Sequence, residues 1–493
     1  MKNKILLINP AQSSGKNSKY TNFKFPLGLL YIAGKLETNG FDVKIIDAPL
    51  YYKKRKEINE DTIRIGLFKE DIKKIIKDFN PDIVGVSCAY SAYETDSFEV
   101  INTVRETEKE LNKKFLIVTG GAHSSANTEQ VLKNKEIDIV VLGEGEETML
   151  EIAEKYNRKS LKKIKGTAFK ENKKLIINKP REYIQNLDEV SAAWHLLDMN
   201  LYFKHPDNSV ATLRNNSVDL VTSRGCPMNC RFCSIHTVWG RKWRGRSAKN
   251  VVDEMELLVK KYGAKQFRIQ DDNMTLNKER ILEICKEIKK RSLDIRWDTR
   301  NGVAFWTLDE EILKAMRKAG CYRITFGIES GCKNTQKYVR KIVDLEKIKN
   351  LINICHKHRL WVCSTFIIGF PYEIKKEIMT TKNFILNSKL NFPFIYVAQP
   401  YPGTDMHKDF QKENLIQKIK TTSNIKKSLY HTKHFTGEEL NKIKSNIIRE
   451  FYLKKILSYA NPITFYKEFL SKHKKLEDFK YTFKNIYNIV SNS

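Results

Sequence analysis

A chain of 493 residues with 41% hydrophobic and 30% charged residues is ordinary globular chemistry, long enough for about three domains of ~150 residues and unlike disordered, collagen-like or coiled-coil sequences. No run of roughly 18 uncharged apolar residues can cross a bilayer, and the apolar stretch at 5–8 is too short for a secretory signal, so a cytoplasmic location is expected. The formal charge of +30 is uneven: residues 1–150 carry 22 basic and 22 acidic side chains, residues 406–493 carry 18 and 8, and Lys outnumbers Arg 67 to 21. That pattern fits Lys-rich codon usage better than a nucleic-acid footprint.

Residues 1–156 alternate short apolar runs, at 5–8, 43–46, 83–87, 115–119 and 139–142, with helical periodicity at 26–38, 70–78, 95–111 and 146–156. Uninterrupted apolar strands are buried on both faces. The pattern therefore predicts a parallel sheet covered by helices, a flavodoxin-like or Rossmann-like domain over 1–156. The strand ends gather Asn9-Pro10, Ser87-Cys88-Ala89, Gly120-Gly121-Ala122-His123 and Gly143-Glu144-Gly145-Glu146 on the edge where such sheets bind ligands. Glycines admit close backbone approach, so this edge predicts a large flat or extended ligand. With no GxGxxG after the first strand, a dinucleotide is disfavoured. Residues 157–216 read as a connector containing a hairpin, 164–169 with 174–178.

Nine cysteines in a chain without an export signal do not suggest a disulfide framework. Six are scattered, whereas Cys226, Cys230 and Cys233 share one loop after a strand at 218–222. Three thiolates on one loop can hold an iron–sulfur cluster and leave one iron open; with His236 the same residues compose a closed zinc set. Downstream, strands at 266–269, 295–298, 323–327, 362–368 and 394–398 alternate with helices at 248–262, 278–291, 309–319, 345–358 and 374–388. Six strands with five intervening helices predict a partial (β/α) barrel over 217–405, with its site at the strand C-terminal ends.

Asp271, Asp272, Asn273, Arg300, Glu329, Ser330 and Ile367 fall at those ends. Carboxylates and amides there suit an amino group, a Glu or Ser suits ribose hydroxyls, an Arg suits a carboxylate, and Ile367 offers apolar surface to an adenine. Ser247 and Asp309 read as helix N-caps. Residues 406–493 read as helical, with the capping box Thr436-Gly437-Glu438-Glu439 and a stripe of Leu440, Ile443, Ile447 and Phe451 that packs on the barrel.

The run Cys226-Pro227-Met228-Asn229-Cys230-Arg231-Phe232-Cys233 has the C-x₃-C-x₂-C spacing, with an aromatic before the last Cys, of the radical S-adenosylmethionine (SAM) enzymes. Further matches are Phe25-Pro26-Leu27-Gly28, the runs at 118–123, 142–146 and 239–247, Asp271-Asp272-Asn273, and the runs at 326–331 and 400–404. Over nearly all of 1–460 the chain resembles the cobalamin-dependent radical SAM proteins that include anaerobic magnesium-protoporphyrin ester cyclase and many C- and P-methyltransferases. The resemblance implies a [4Fe–4S] cluster on Cys226, Cys230 and Cys233 whose fourth iron chelates SAM. It puts Phe232 against the adenine and the Asp271–Asn273 turn at the SAM amino group; Arg300, Glu329, Ser330 and Ile367, from their strand-end positions, are then expected as further SAM contacts.

The same resemblance implies cobalamin over Ser87, Gly120, Gly121, His123, Gly143, Glu144, Gly145 and Glu146. The Asp-x-His-x-x-Gly motif that supplies a lower histidine in other cobalamin proteins is absent, which implies base-off cobalamin without that ligand. The implied reaction in an oxygen-sensitive enzyme is reductive SAM cleavage, hydrogen abstraction by a 5′-deoxyadenosyl radical, and methyl transfer to an unactivated carbon or phosphorus of a small molecule. Non-methylating ring closure is the alternative. A tRNA methylthiotransferase would need more N-terminal cysteines than Cys88, and the complete SAM pattern opposes a non-catalytic cobalamin or redox sensor. The basic charge outside the first domain suits an acidic electron donor such as flavodoxin or ferredoxin.

Overall fold

The computed structural model describes residues 3–16, 23–155, 162–209, 212–416, 430–473, 476, 478–480 and 482–483. Its N-terminal part contains strands β1 (Lys4–Asn9), β2 (Gln12–Gly15), β3 (Asp42–Asp47), β4 (Arg55–Asn59), β5 (Thr62–Ile65), β6 (Ile83–Ser87), β7 (Leu116–Gly120), β8 (Ile139–Val141), β9 (Thr167–Glu171) and β10 (Lys174–Ile177). The main sheet runs β10-β9-β8-β7-β6-β1-β3, and β3, β1, β6, β7 and β8 pair in parallel. Both faces are buried, as the apolar runs require. Leu6 and Ile8 join one core with Val84 and Ile117, while Ile5 and Leu7 join the opposite core with Ile83 and Val118.

Two features differ from the sequence expectation. The hairpin β9–β10 is not a free-standing connector: β9 pairs antiparallel with β8, so the sheet continues to residue 177. Covering the edge of the three-residue β8 keeps its unpaired backbone groups from lying open. A second, antiparallel sheet, β2-β5-β4, sits beside the strand ends. Its first strand is Gln-Ser-Ser-Gly, which has no apolar alternation to betray it.

The second part is a parallel sheet in sequential order: β11 (Ser217–Leu220), β14 (Gln266–Ile269), β15 (Arg296–Thr299), β16 (Cys321–Glu329), β17 (Trp361–Ile368) and β18 (Phe392–Val397). With β11 and β18 as its edges, this is a partial barrel. The short pair β12 (Ser223–Arg224) and β13 (Arg244–Gly245) clips the intervening loop. Helices Ala248–Tyr262, Lys278–Lys290, Glu310–Lys318, Leu345–Lys357 and Lys375–Asn387 alternate with the strands, and a further helix, Lys333–Tyr338, follows β16.

Ser247 and Asp309 cap their helices through the backbone N–H groups of Asn250 and Ile312. Thr436 and Glu439 form the reciprocal box that starts helix Gly437–Ser458, whose Leu440, Ile447 and Phe451 are buried against β18 and helix Lys375–Asn387. No helix among the described residues is long and apolar enough to cross a membrane.

Candidate active site

The C-terminal ends of both sheets line one cavity of about 410 Å³, within the usual ~300–1,000 Å³ range of ligand sites. Ser87, Gly120, Gly121, Gly143, Glu144, Gly145 and Glu146 line it from the first sheet, while Asp219, Gln270 and Asp272 line it from the barrel. Gly28, in the first turn of helix Leu27–Thr38, also faces it, and a Cβ there would meet nothing within 4 Å. Gly121 is required for a different reason: its φ of +125° and the backbone of Ala89, 2.9 Å from a would-be Cβ, exclude a side chain.

The glutamates hold the two parts of the molecule together. Arg224 donates to Glu144 at 2.9 Å and to Glu146 at 2.6 Å, and Arg244 donates to both oxygens of Glu144 at 3.0 Å. All four side chains are 5% exposed or less. The backbone N–H of Ile184 also donates to Glu144, and that of Phe25 to Asp219. Burial lowers the pKa of Arg224, but the two carboxylates outweigh it and leave the guanidinium above its ordinary value. Glu144 and Glu146 therefore line the cavity as members of a buried charge network that reaches Arg224, two residues before Cys226.

Cys226, Cys230 and Cys233 are free, half-buried thiols. Burial pushes all three up, Cys233 to about 11. The Lys341 charge acts in the opposite direction on Cys226 and Cys230, as does a hydrogen bond from the Asn273 side chain on Cys226. Arg231 fixes the middle of the loop: its backbone N–H donates to Val339 O at 3.1 Å, Nε to Tyr338 O at 3.0 Å and Nη1 to Asp409 at 2.8 Å. Phe232 joins Ile367, Phe370 and Tyr338 in a small apolar cluster beside the loop. Among the described residues no three His, Cys, Asp or Glu side chains converge on a point that could hold one metal ion. A cubane cluster is larger than an ion and takes its thiolates at separate corners.

The remaining sequence-predicted residues divide in two. Asp272 lines the cavity with one carboxylate oxygen buried and unpartnered, and burial, with Asp271 beside it, raises its pKa to about 7. Glu329 ends β16 in the left-handed region, with φ +65°, held by Lys341 at 2.9 Å and Thr365 at 3.1 Å. Four residues are committed elsewhere. Asp271 accepts from Thr222 N, Thr222 Oγ1 and Ser223 Oγ, each at 2.6 Å, and serves the turn before the cysteines. Ser330 bonds Thr381 Oγ1 at 2.9 Å and accepts from Cys332 N.

Arg300 stands 3.6 Å from Asp298, in a charged layer inside the barrel that includes Asp298–Arg323 and Asp219–Arg268, each at 2.7 Å. His123 has Ser91 on Nδ1 at 2.8 Å and Glu94 on Nε2 at 3.0 Å, so neither ring nitrogen is available to a metal. Sequence reasoning missed Lys341, Arg224 and Glu373. Glu373 accepts from Gly369 N and Phe370 N and pins the turn that carries the apolar cluster. Only the Gly369-Phe370-Pro371-Tyr372-Glu373 run offered a signal for it.

Asp272 yields a prediction with a defined sign. Its raised pKa means the fold prefers the neutral form, so its ionisation weakens the apo protein as pH rises from about 4 to about 7. Asp272→Asn is expected to raise the apo melting temperature at pH 8, with a smaller gain near pH 5, as measured by thermal denaturation across pH.

A thiolate loop and a large-ligand cavity joined across a buried seam define an enzyme that assembles more than one cofactor between two α/β domains. The family model described as the radical SAM superfamily matches residues 220–385, and that described as the B12 binding domain matches residues 17–153. Among curated relatives, the uncharacterized methyltransferase PH0819 of Pyrococcus horikoshii is 34% identical, over 92% of this chain and 93% of its own. Cytidylyl-2-hydroxyethylphosphonate methyltransferase of Streptomyces wedmorensis is 29% identical over 93% and 91%. The solved structure of the radical SAM methyltransferase TsrM from Kitasatospora setae, with cobalamin and a [4Fe–4S] cluster bound, shares the fold with a TM-score of 0.66 at 17% identity, covering 84% of this chain and 75% of that one.

The chain belongs to the cobalamin-dependent radical SAM enzymes. Its cofactors are accordingly a [4Fe–4S] cluster, SAM and cobalamin. The donors present fit them: a loop of three free thiols, an unpartnered buried carboxylate oxygen beside it, and a glycine-lined cavity with open space at Gly28.

Proposed function

We propose that this enzyme transfers a methyl group to an unactivated carbon or phosphorus of a small molecule. The observation that carries the reading is the shared space: the glycine-lined sheet edge, Asp272 and the residues flanking the cysteine loop, Arg224 and Ile235, line one cavity, which sets the cluster loop beside the edge that would take cobalamin. Full-length relatives named as methyltransferases favour methylation over ring closure. When bound, these groups supply one-electron chemistry and a transferable methyl group.

The chain's own residues do the rest. Cys226, Cys230 and Cys233 hold the cluster, and Asp272 with Asn273 orients the SAM amino group. Phe232 and Ile367 give the adenine an apolar wall, and Glu329 faces the ribose. Ser87, Gly120, Gly121, Gly143 and Gly145 let the corrin approach the sheet edge.

Replacing Gly28 by Trp would fill the cavity mouth from a helix surface that has room for it. The variant is expected to fold with an unchanged melting temperature and to lose cobalamin binding at least tenfold by visible-absorbance titration. The partner reading is an acidic flavodoxin or ferredoxin in a reducing cytoplasm. It is supported by the free cysteines and by an outer groove in which Lys286, Lys289, Lys290, Lys314 and Lys318 outnumber Glu310 and Glu311. Electron-transfer rates should fall with added salt, and salt-independent rates contradict it.

The reaction is tested by anaerobic turnover of reconstituted enzyme with methyl-deuterated SAM. A product carrying the labelled methyl group is expected. 5′-Deoxyadenosine without methylated product across candidate substrates would support the ring-closure alternative, and no 5′-deoxyadenosine with an intact cluster refutes both.

A further inference from the structure

Two buried acceptors among the described residues that line the cavity have no protein partner. One is Asp272 Oδ2, at the barrel end; the other is Gln12 Oε1, at the first-sheet end. Several other polar groups of the cavity lining are already committed. Asn9 donates to Asp47 at 2.6 Å, and Asp47 in turn accepts from Tyr202 at 2.5 Å; Glu144 and Glu146 hold their arginines.

Gln12 itself is buried, 8% exposed. It opens β2 opposite Ile65 of β5, and the next residue, Ser13, is pinned on the other face by Asp96 through its N–H at 2.9 Å and its Oγ at 2.6 Å. A buried amide oxygen left without a donor penalises the apo protein, and that penalty is relieved when a ligand supplies an N–H or O–H.

We propose that Gln12 recognises the corrin rim: its carboxamide accepts from a side-chain amide of the cofactor, so the site favours amidated corrinoids over their carboxylated precursors. With the carboxamide oriented as it is here, a carboxylate at the same place brings only acceptors to Gln12 Oε1 and leaves it unsatisfied. The inference rests on the reading that this cavity holds cobalamin.

The test compares wild type with Gln12→Met, an unbranched replacement of similar length without polar atoms. Each apo protein is titrated with hydroxocobalamin, cobinamide and cobyrinic acid by visible absorbance, alongside its melting temperature. The variant is expected to melt at or above the wild-type temperature and to bind hydroxocobalamin and cobinamide about tenfold more weakly. Wild-type affinity for cobinamide in a folded Gln12→Met protein overturns the proposal. If the variant does not fold, wild type alone decides: a tenfold or greater preference for cobinamide over cobyrinic acid supports the proposal, and equal affinity overturns it. Wild type that binds none of the three corrinoids would instead overturn the cofactor reading on which the proposal rests.

Discussion

Cys230→Ala is expected to abolish [4Fe–4S] uptake on anaerobic reconstitution while leaving cobalamin binding within about threefold of wild type. The two effects separate because the thiols lie on the barrel loop and the glycines on the first sheet. Cys230 is also the middle thiol, next to Arg231, whose three contacts to Tyr338, Val339 and Asp409 hold the loop independently of any metal. The scaffold should therefore survive the substitution. Iron and sulfide analysis with the charge-transfer absorbance of the cluster reads the first effect, and a corrinoid titration reads the second. Retained cluster would refute the thiolate assignment.

Arg224→Met has the larger structural consequence. It leaves Glu144 with Arg244 as its one charged partner among the described residues and Glu146 without the charge that neutralises it, both buried. Breaking a buried ion network by removing one partner typically costs about 3–5 kcal/mol. The cost falls on the contact between the cavity edge and the cysteine loop, so cobalamin and cluster occupancy should drop together, with a lower denaturation midpoint. Arg224→Lys keeps the charge but cannot fork to two carboxylates and should recover only part of the loss. Loss of one cofactor with full retention of the other would show that the network does not couple the two sites.

The βα rhythm was legible because burial on both faces leaves continuous apolar runs, as in Ile5, Leu6, Leu7 and Ile8. The cysteine loop was legible because its three thiols are close in sequence. What escaped depends on partners far along the chain. Glu144 read as a ligand contact because Arg224 and Arg244 lie 80 and 100 positions away. Asp271 and Ser330 carry the residue types of a binding site, but Thr222 and Thr381 take their oxygens. The strand that presents Gln12 is too polar to show a period. Residue type and strand-end position thus located the site, while the division between ligand contacts and scaffold required the three-dimensional partners.

On the proposed reading, one cavity between the two domains brings both metal cofactors together. Electron paramagnetic resonance of the protein carrying cob(II)alamin and reduced cluster together addresses it most directly. A spectrum broadened or split by magnetic coupling between the two centres is expected, a perturbation lost in Cys230→Ala. A spectrum equal to the simple sum of the two isolated centres would contradict it.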